Sequence, residues 1–132
     1  MTRREMRKTL FCLIFQYEFY PTDEFAEQRD NYLQEKSLED EERQEILDRL
    51  EAVTGYLPEI DERISSRSKG WKLDRIAKAE LALLRLAVYE ALYDEDVPVG
   101  VAVNEAVELA KQYGEDNASV FVNGILGKIV NE

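Results

Sequence analysis

The spacing of apolar side chains constrains this chain more than any other property. They recur every three or four residues in segment after segment, and no segment shows a two-residue alternation bounded by turns. Such spacing puts apolar groups on one face of a helix and on both faces of a strand, so the chain reads as all-α. The first helix is expected from about Thr2 to Tyr20, stopping before Pro21, with Met6, Leu10, Leu13, Ile14 and Tyr17 facing inward. Arg4, Arg7 and Lys8 fall on its other side with Phe11 and Phe15, so cations lead into two aromatic rings.

A polar helix is expected to run to Lys36, anchored by Phe25, Tyr32 and Leu33. Ser37-Leu38-Glu39-Asp40 reads as a variant capping box that opens a helix with Ile46, Leu47, Leu50 and Val53 inside. Gly55 and Pro58 divide it from a continuation through Ile60 and Ile64, which ends in the loop Ser65 to Gly70. A long helix follows, from an Asp74 cap to Tyr93, with Ile76, Leu83, Leu84, Ala87 and Leu92 buried. Pro98 suits the first turn of the next helix, whose inner face is Ala102, Ala106, Leu109, Ala110 and Tyr113, and Gly114 suits a left-handed exit. Asn117 is expected to cap a last helix.

That last helix contains Asn123-Gly124, a dipeptide typical of hairpin turns. Ala118, Val122, Ile125, Leu126 and Ile129 share one helical face, however, and two short strands without a sheet would be marginal in water. Gly124 costs about 1 kcal/mol relative to alanine inside a helix. Close packing against a neighbouring helix would offset that cost, and so would a ligand approaching the edge ring of Phe121 over bare backbone.

Composition narrows the function. The chain has 132 residues, 45% of them hydrophobic and 34% charged, which suits one folded domain spanning residues 1–132. It has neither a run long and apolar enough to span a bilayer nor a signal pattern at its start, so a cytoplasmic location is expected. Cys12, the single cysteine, lies among apolar neighbours and reads as a small core group. With no histidine, no glycine loop for phosphate and no metal-ligand cluster, neither an enzyme nor a cofactor or metal site is expected. Glu105 and Glu108, three apart, read as solvated surface.

The net charge of −11 opposes polyanion binding at long range, yet its distribution does not. Arg3, Arg4, Arg7 and Lys8 face only Glu5 in the first turns, and residues 63–78 carry six basic side chains against Asp74. Separate basic and acidic regions let one molecule hold a polyanion and a basic protein together.

These pieces resemble the NusB family of transcription antitermination factors. The resemblance rests on Arg3, Arg4 and Arg7 opening the first helix, on "LLRLAVYEAL" from Leu83, on "VPVGVAVNEAVELAKQYG" from Val97 and on "FVNGIL" from Phe121. Residues 20 to 70 match in helical character only. The resemblance implies seven helices packed as two three-helix groups and no catalysis. It also implies binding of the boxA RNA of ribosomal RNA leader transcripts together with NusE, a small-subunit ribosomal protein, and assembly with other Nus factors on RNA polymerase. Family members occur as monomers and dimers, so a homodimer is admitted, while no membrane is involved.

Carried over residue by residue, Arg3, Arg4 and Arg7 match arginines that contact RNA, and Phe121 matches a ring that meets a base. Lys8 joins them on charge alone. Phe15 stands where relatives commonly have tyrosine near the protein partner, and Glu80 matches an acidic position facing NusE. Asn117-Ala118 replaces a common Asp-Ser pair, and Gly127 a frequent aspartate. Replacing Arg3, Arg4 and Arg7 by alanine is then expected to abolish boxA binding and barely change thermal stability. The competing reading is a protein-only helical adaptor, with the basic start a solvated helix end.

Overall fold

The structure is a computed structural model and describes residues 1–20, 22–68 and 72–131. Pro21 and the end of the expected loop, Lys69 and Gly70, lie outside the described residues. Among the described residues there are seven α-helices and no strand. They are α1 Arg3–Phe19, α2 Thr22–Gln34, α3 Asp40–Gly55, α4 Leu57–Arg67, α5 Lys78–Tyr93, α6 Val99–Tyr113 and α7 Ala118–Val130, with a 3-10 turn at Leu73–Arg75.

At the centre lies α5, packed against α1, α3, α4, α6 and α7. Every residue from Leu81 to Glu90 is buried, which is why this stretch has no polar stripe. Helices α5, α6 and α7 pack against one another, α1 packs on α2 and α3, and α4 touches α3, α5 and α7. The two expected three-helix groups are therefore present, joined through α1 and α5. The apolar positions expected on α1 pack as read, with Leu10, Leu13 and Ile14 at 3% exposure or less.

Helix boundaries show where local rules were overridden. A capping box opens α1: Thr2 Oγ1 accepts the Glu5 N–H at 3.1 Å, and Glu5 Oε2 accepts the Thr2 N–H at 2.9 Å. For α3 the expected Ser37 cap is wrong by two residues. Ser37 has φ 52, outside the extended region a cap needs, and Glu39 takes the position, its N–H donating to Glu42 Oε1 at 3.2 Å. Asp74 does not cap α5 either. It lies in the 3-10 turn, and buried Ile76 then runs extended before the helix starts at Lys78. Pro98 is the N-cap of α6 rather than part of its first turn.

Gly114 is not left-handed; its φ is −89. Glycine is required there by proximity, because a Cβ would overlap the Ala118 side chain and come within 2.8 Å of the Ala110 carbonyl oxygen. Asn117 holds the N-cap position of α7 at φ 70 without a capping bond from its side chain, and its carbonyl accepts the Phe121 N–H at 3.0 Å. Tyr113, expected in the core, is 37% exposed at the end of α6.

Candidate nucleic-acid interface

The first turns of α1 present two exposed guanidinium groups. Arg3 and Arg4 are 71% and 77% exposed and lean opposite ways, Arg3 onto Glu45 of α3 and Arg4 onto Glu105 of α6, with Nε 3.2 Å from Oε1. Exposed pairs of this kind contribute about 0–1 kcal/mol, so either arginine can exchange a glutamate for a phosphate at small cost. One turn on, the Lys8 ammonium lies 5.5 Å from the centre of the Tyr113 ring, and a hydrogen bond to Tyr113 raises its pKa.

Arg7 differs from its neighbours although it shares their side of the helical wheel. Its guanidinium is buried and grips Glu90 of α5, with Nε 2.9 and 3.1 Å from the two carboxylate oxygens and Nη2 2.9 Å from Oε2. Nη1 lies 3.5 Å from Glu105. The expectation that Arg7 can be replaced without loss of stability is therefore corrected: this side chain neutralises the carboxylate inside α5.

Beyond Lys8, aromatic rings continue along the molecule. Phe11 is buried rather than presented, and it supports the exposed ring of Tyr113 at 5.2 Å between centres. Phe15, half-buried, packs 4.9 Å from the exposed Phe19. Phe11 and Phe15, with Tyr32, Ala79 and Tyr113, border a mostly apolar depression that half-buried Cys12 also lines. Burial, and then a hydrogen bond with Cys12, raise the Tyr32 pKa.

Residue Ala79 precedes Glu80, which lines the next depression with Arg75, Glu115, Asn117 and Phe121. The structure thus brings Glu80 and Phe121 together, although they were assigned to different partners. Glu105, which meets Arg4, and Tyr113, which meets Lys8, are eight residues apart on α6, about 12 Å by helical rise. Arg4 and Lys8 line one depression, Phe15, Ala79 and Tyr113 a second, and Glu80 and Phe121 a third, with Lys8 over the Tyr113 ring, while Arg3 leans the other way onto Glu45. Sequence reading missed Tyr113 because its position in the repeat matched the core face; its place beside Gly114 at the helix end was the available signal.

Burial first, and then the charge of Glu115, push the Glu80 carboxyl above the usual carboxylate range. Gly124 is exposed, and a Cβ there would meet nothing within 4 Å. Close packing does not explain this glycine. Gly124→Ala is expected to stabilise the fold by about 1 kcal/mol in thermal denaturation, and a lower Tm would reveal crowding at that position.

An all-helical scaffold that gathers exposed cations at the start of α1, one of them beside the ring of Tyr113, defines a candidate binding surface. The particular kind follows from comparison. The sequence pattern described as the NusB family matches residues 4–131, and the chain belongs to that family, whose members are transcription antitermination factors and not enzymes. A relative from Agathobacter rectalis, a transcription antitermination protein NusB, is 45% identical over 129 residues, covering 97% of this chain and 98% of its own. The crystal form of T. maritima NusB superposes with a TM-score of 0.85 at 34% identity, covering 100% of this chain and 92% of that one. A chain from a complex of the antitermination factors NusB and NusE with dsRNA superposes at 0.83 and 23% identity, covering 98% and 96%, and shows likeness of fold.

Proposed function

We propose that this protein, a single folded domain acting in the cytoplasm, binds the boxA RNA of ribosomal RNA leader transcripts together with NusE. The assembly joins other Nus factors on RNA polymerase. Arg3, Arg4 and Lys8 neutralise phosphates and Phe121 stacks on a base; Phe15 and Glu80 meet NusE. Arg7 is a positioning residue that fixes α1 against α5. The observation that carries this reading is the group of exposed cations Arg3, Arg4 and Lys8 on α1 with the Tyr113 ring against Lys8, since cations beside an aromatic ring suit a single-stranded polyanion.

One observation favours the protein-only adaptor instead. Arg3 and Arg4 each already rest on a carboxylate of their own chain. Titrating boxA RNA at two salt concentrations, with and without NusE, separates the readings. Joint replacement of Arg3, Arg4 and Lys8 by alanine is expected to cut affinity roughly a hundredfold and to flatten the salt dependence by about 2, at about 0.7 per phosphate for a single strand. Unchanged affinity would support the adaptor.

The shared depression at Glu80 makes a second prediction. Because folding raises its pKa, ionised Glu80 disfavours the fold: full stability is present below the unfolded value and declines as pH rises through the folded one. Glu80→Gln is expected to stabilise the protein slightly at neutral pH and not in acid. It is also expected to strengthen RNA binding beside Phe121 and to weaken NusE binding. Equal weakening of both would place Glu80 in the fold rather than at a boundary between partners.

A further inference from the structure

Three tyrosines gather at the end of α5 remote from Glu80. Tyr56, at the corner between α3 and α4, lies face to face with Tyr93, their ring centres 4.2 Å apart and their planes 11° from parallel. Buried Tyr89 adjoins Tyr56, with 6.3 Å between centres. The corner is held firmly: the Tyr56 N–H donates to the Ala52 and Val53 carbonyls at 3.2 and 3.1 Å, and its carbonyl accepts the Ile60 N–H at 2.9 Å. Tyr56 is nevertheless 41% exposed. Stacking on Tyr93 accounts for the covered part of the ring and not for the part left in water. Thirteen positions separate Glu80 from Tyr93 on α5, about 20 Å by helical rise, so this surface lies apart from the one assigned above to NusE.

The charge around the stack selects its occupant. From Leu50 to Glu62 and from Leu86 to Ala110 the sequence contains no lysine or arginine. Exposed Glu51 and Glu59 lie on either side of Tyr56 in the chain, and exposed Glu95 follows Tyr93 by two positions; none of the three enters an ion pair among the described residues. Arg49, just before this stretch, is committed to Glu45 and Asp94. Two other tyrosines are covered by lysines of their own chain, Tyr113 by Lys8 and Tyr32 by Lys36, but among the described residues no cation lies over Tyr56 or Tyr93. An exposed aromatic stack in an anionic surround suits a cation. A guanidinium fits it best, because its plane lies flat on a ring while its N–H groups remain available to carboxylates. The same negative field disfavours a phosphate backbone.

We infer that the Tyr56–Tyr93 stack is a docking point for an arginine of a basic protein segment, separate from the RNA and NusE contacts proposed above. Tyr56 carries the guanidinium on its exposed surface, and Glu51, Glu59 and Glu95 supply the attracting charge.

The test titrates the full chain with a blocked peptide of alternating arginine and glycine, following the Tyr56 and Tyr93 ring signals by NMR and the affinity by calorimetry. Tyr56→Ala is expected to weaken the peptide roughly three- to fivefold, and Tyr56→Phe, which keeps the ring, to bind as the parent does. Because Tyr56→Ala can loosen the corner between α3 and α4, a surface pair keeps the test decisive. Glu59→Gln with Glu95→Gln is expected to weaken the peptide and to flatten its salt dependence at unchanged Tm. Glu24→Gln with Glu27→Gln, both exposed on α2, removes the same charge elsewhere and is expected to leave the affinity nearly unchanged. Equal loss from the two glutamate pairs reduces the binding to general attraction by an acidic protein and overturns the inference, as does full affinity in a folded Tyr56→Ala variant. A shift of the Tyr56 signals by single-stranded RNA lacking boxA overturns it too, since the stack would then be an RNA contact.

Discussion

Arg7→Met is expected to lower stability by about 3–5 kcal/mol, the cost of leaving a buried carboxylate without its partner. The side chains of Arg7 and Glu90 are 10% and 5% exposed, and three hydrogen bonds of 2.9 to 3.1 Å join them. Water cannot replace the guanidinium at Glu90 without entering the contact between α1 and α5. Arg3→Ala and Arg4→Ala remove exposed pairs and should each shift stability by less than about 1 kcal/mol. Thermal denaturation of the three variants, with Arg7→Met combined with Glu90→Met as the fourth, decides the matter. The double change removes both charges together and should recover much of the loss. If Arg7→Met behaves like Arg4→Ala, the pair contributes little and Arg7 returns to the list of RNA contacts.

The second large effect is expected at Arg85, the other charge inside α5. Its guanidinium donates to Asp61 of α4 through Nε at 2.9 Å and Nη2 at 3.0 Å, and to Glu18 of α1 through Nη1 at 2.7 Å. Lys78 adds a contact to Glu18 at 3.2 Å. One buried cation thus ties α1, α4 and α5 together. Asp61 and Glu18 are 22% and 27% exposed and can partly rehydrate, so Arg85→Met should cost about 2–4 kcal/mol, below the full penalty for a buried pair.

The same cluster sets a pH dependence. Burial alone would raise the Glu18 pKa, but the hydrogen bonds and charges of Arg85 and Lys78 outweigh it and hold the carboxyl below its usual range. A carboxyl whose folded pKa is depressed contributes stability above its unfolded value and loses it as pH falls through the folded one. The parent protein should therefore lose stability below about pH 4, near the ordinary carboxylate range, and Arg85→Met should lose less of it over that interval. Denaturant titrations at neutral and acid pH measure both slopes, and parallel curves would remove Glu18 from the account.

Much of the fold was legible because helical periodicity is a local property. Met6, Leu10, Leu13 and Ile14 on α1, and Val122, Ile125, Leu126 and Ile129 on α7, are buried as their spacing required, and Asn123-Gly124 lies in a helix. The concentration of cations at the start of α1 was equally plain from composition. Caps were read less well. Ser37, Asp74 and Asn117 all have side chains suited to capping, but whether one caps depends on a backbone conformation imposed by the packing around it.

The site divides along the same line. By residue type and helical phase, Arg4, Arg7 and Lys8 are equivalent, and the sequence alone determined that all three lie on one side of α1. Only the tertiary structure distinguished them. It set Glu90, 83 positions along the chain, beneath Arg7, while Glu105 and Tyr113 received Arg4 and Lys8 at the surface. Periodicity reports which way a side chain points, because that follows from backbone geometry within a turn or two. Which partner it meets, and how much water remains around the pair, depends on helices brought together from distant parts of the chain.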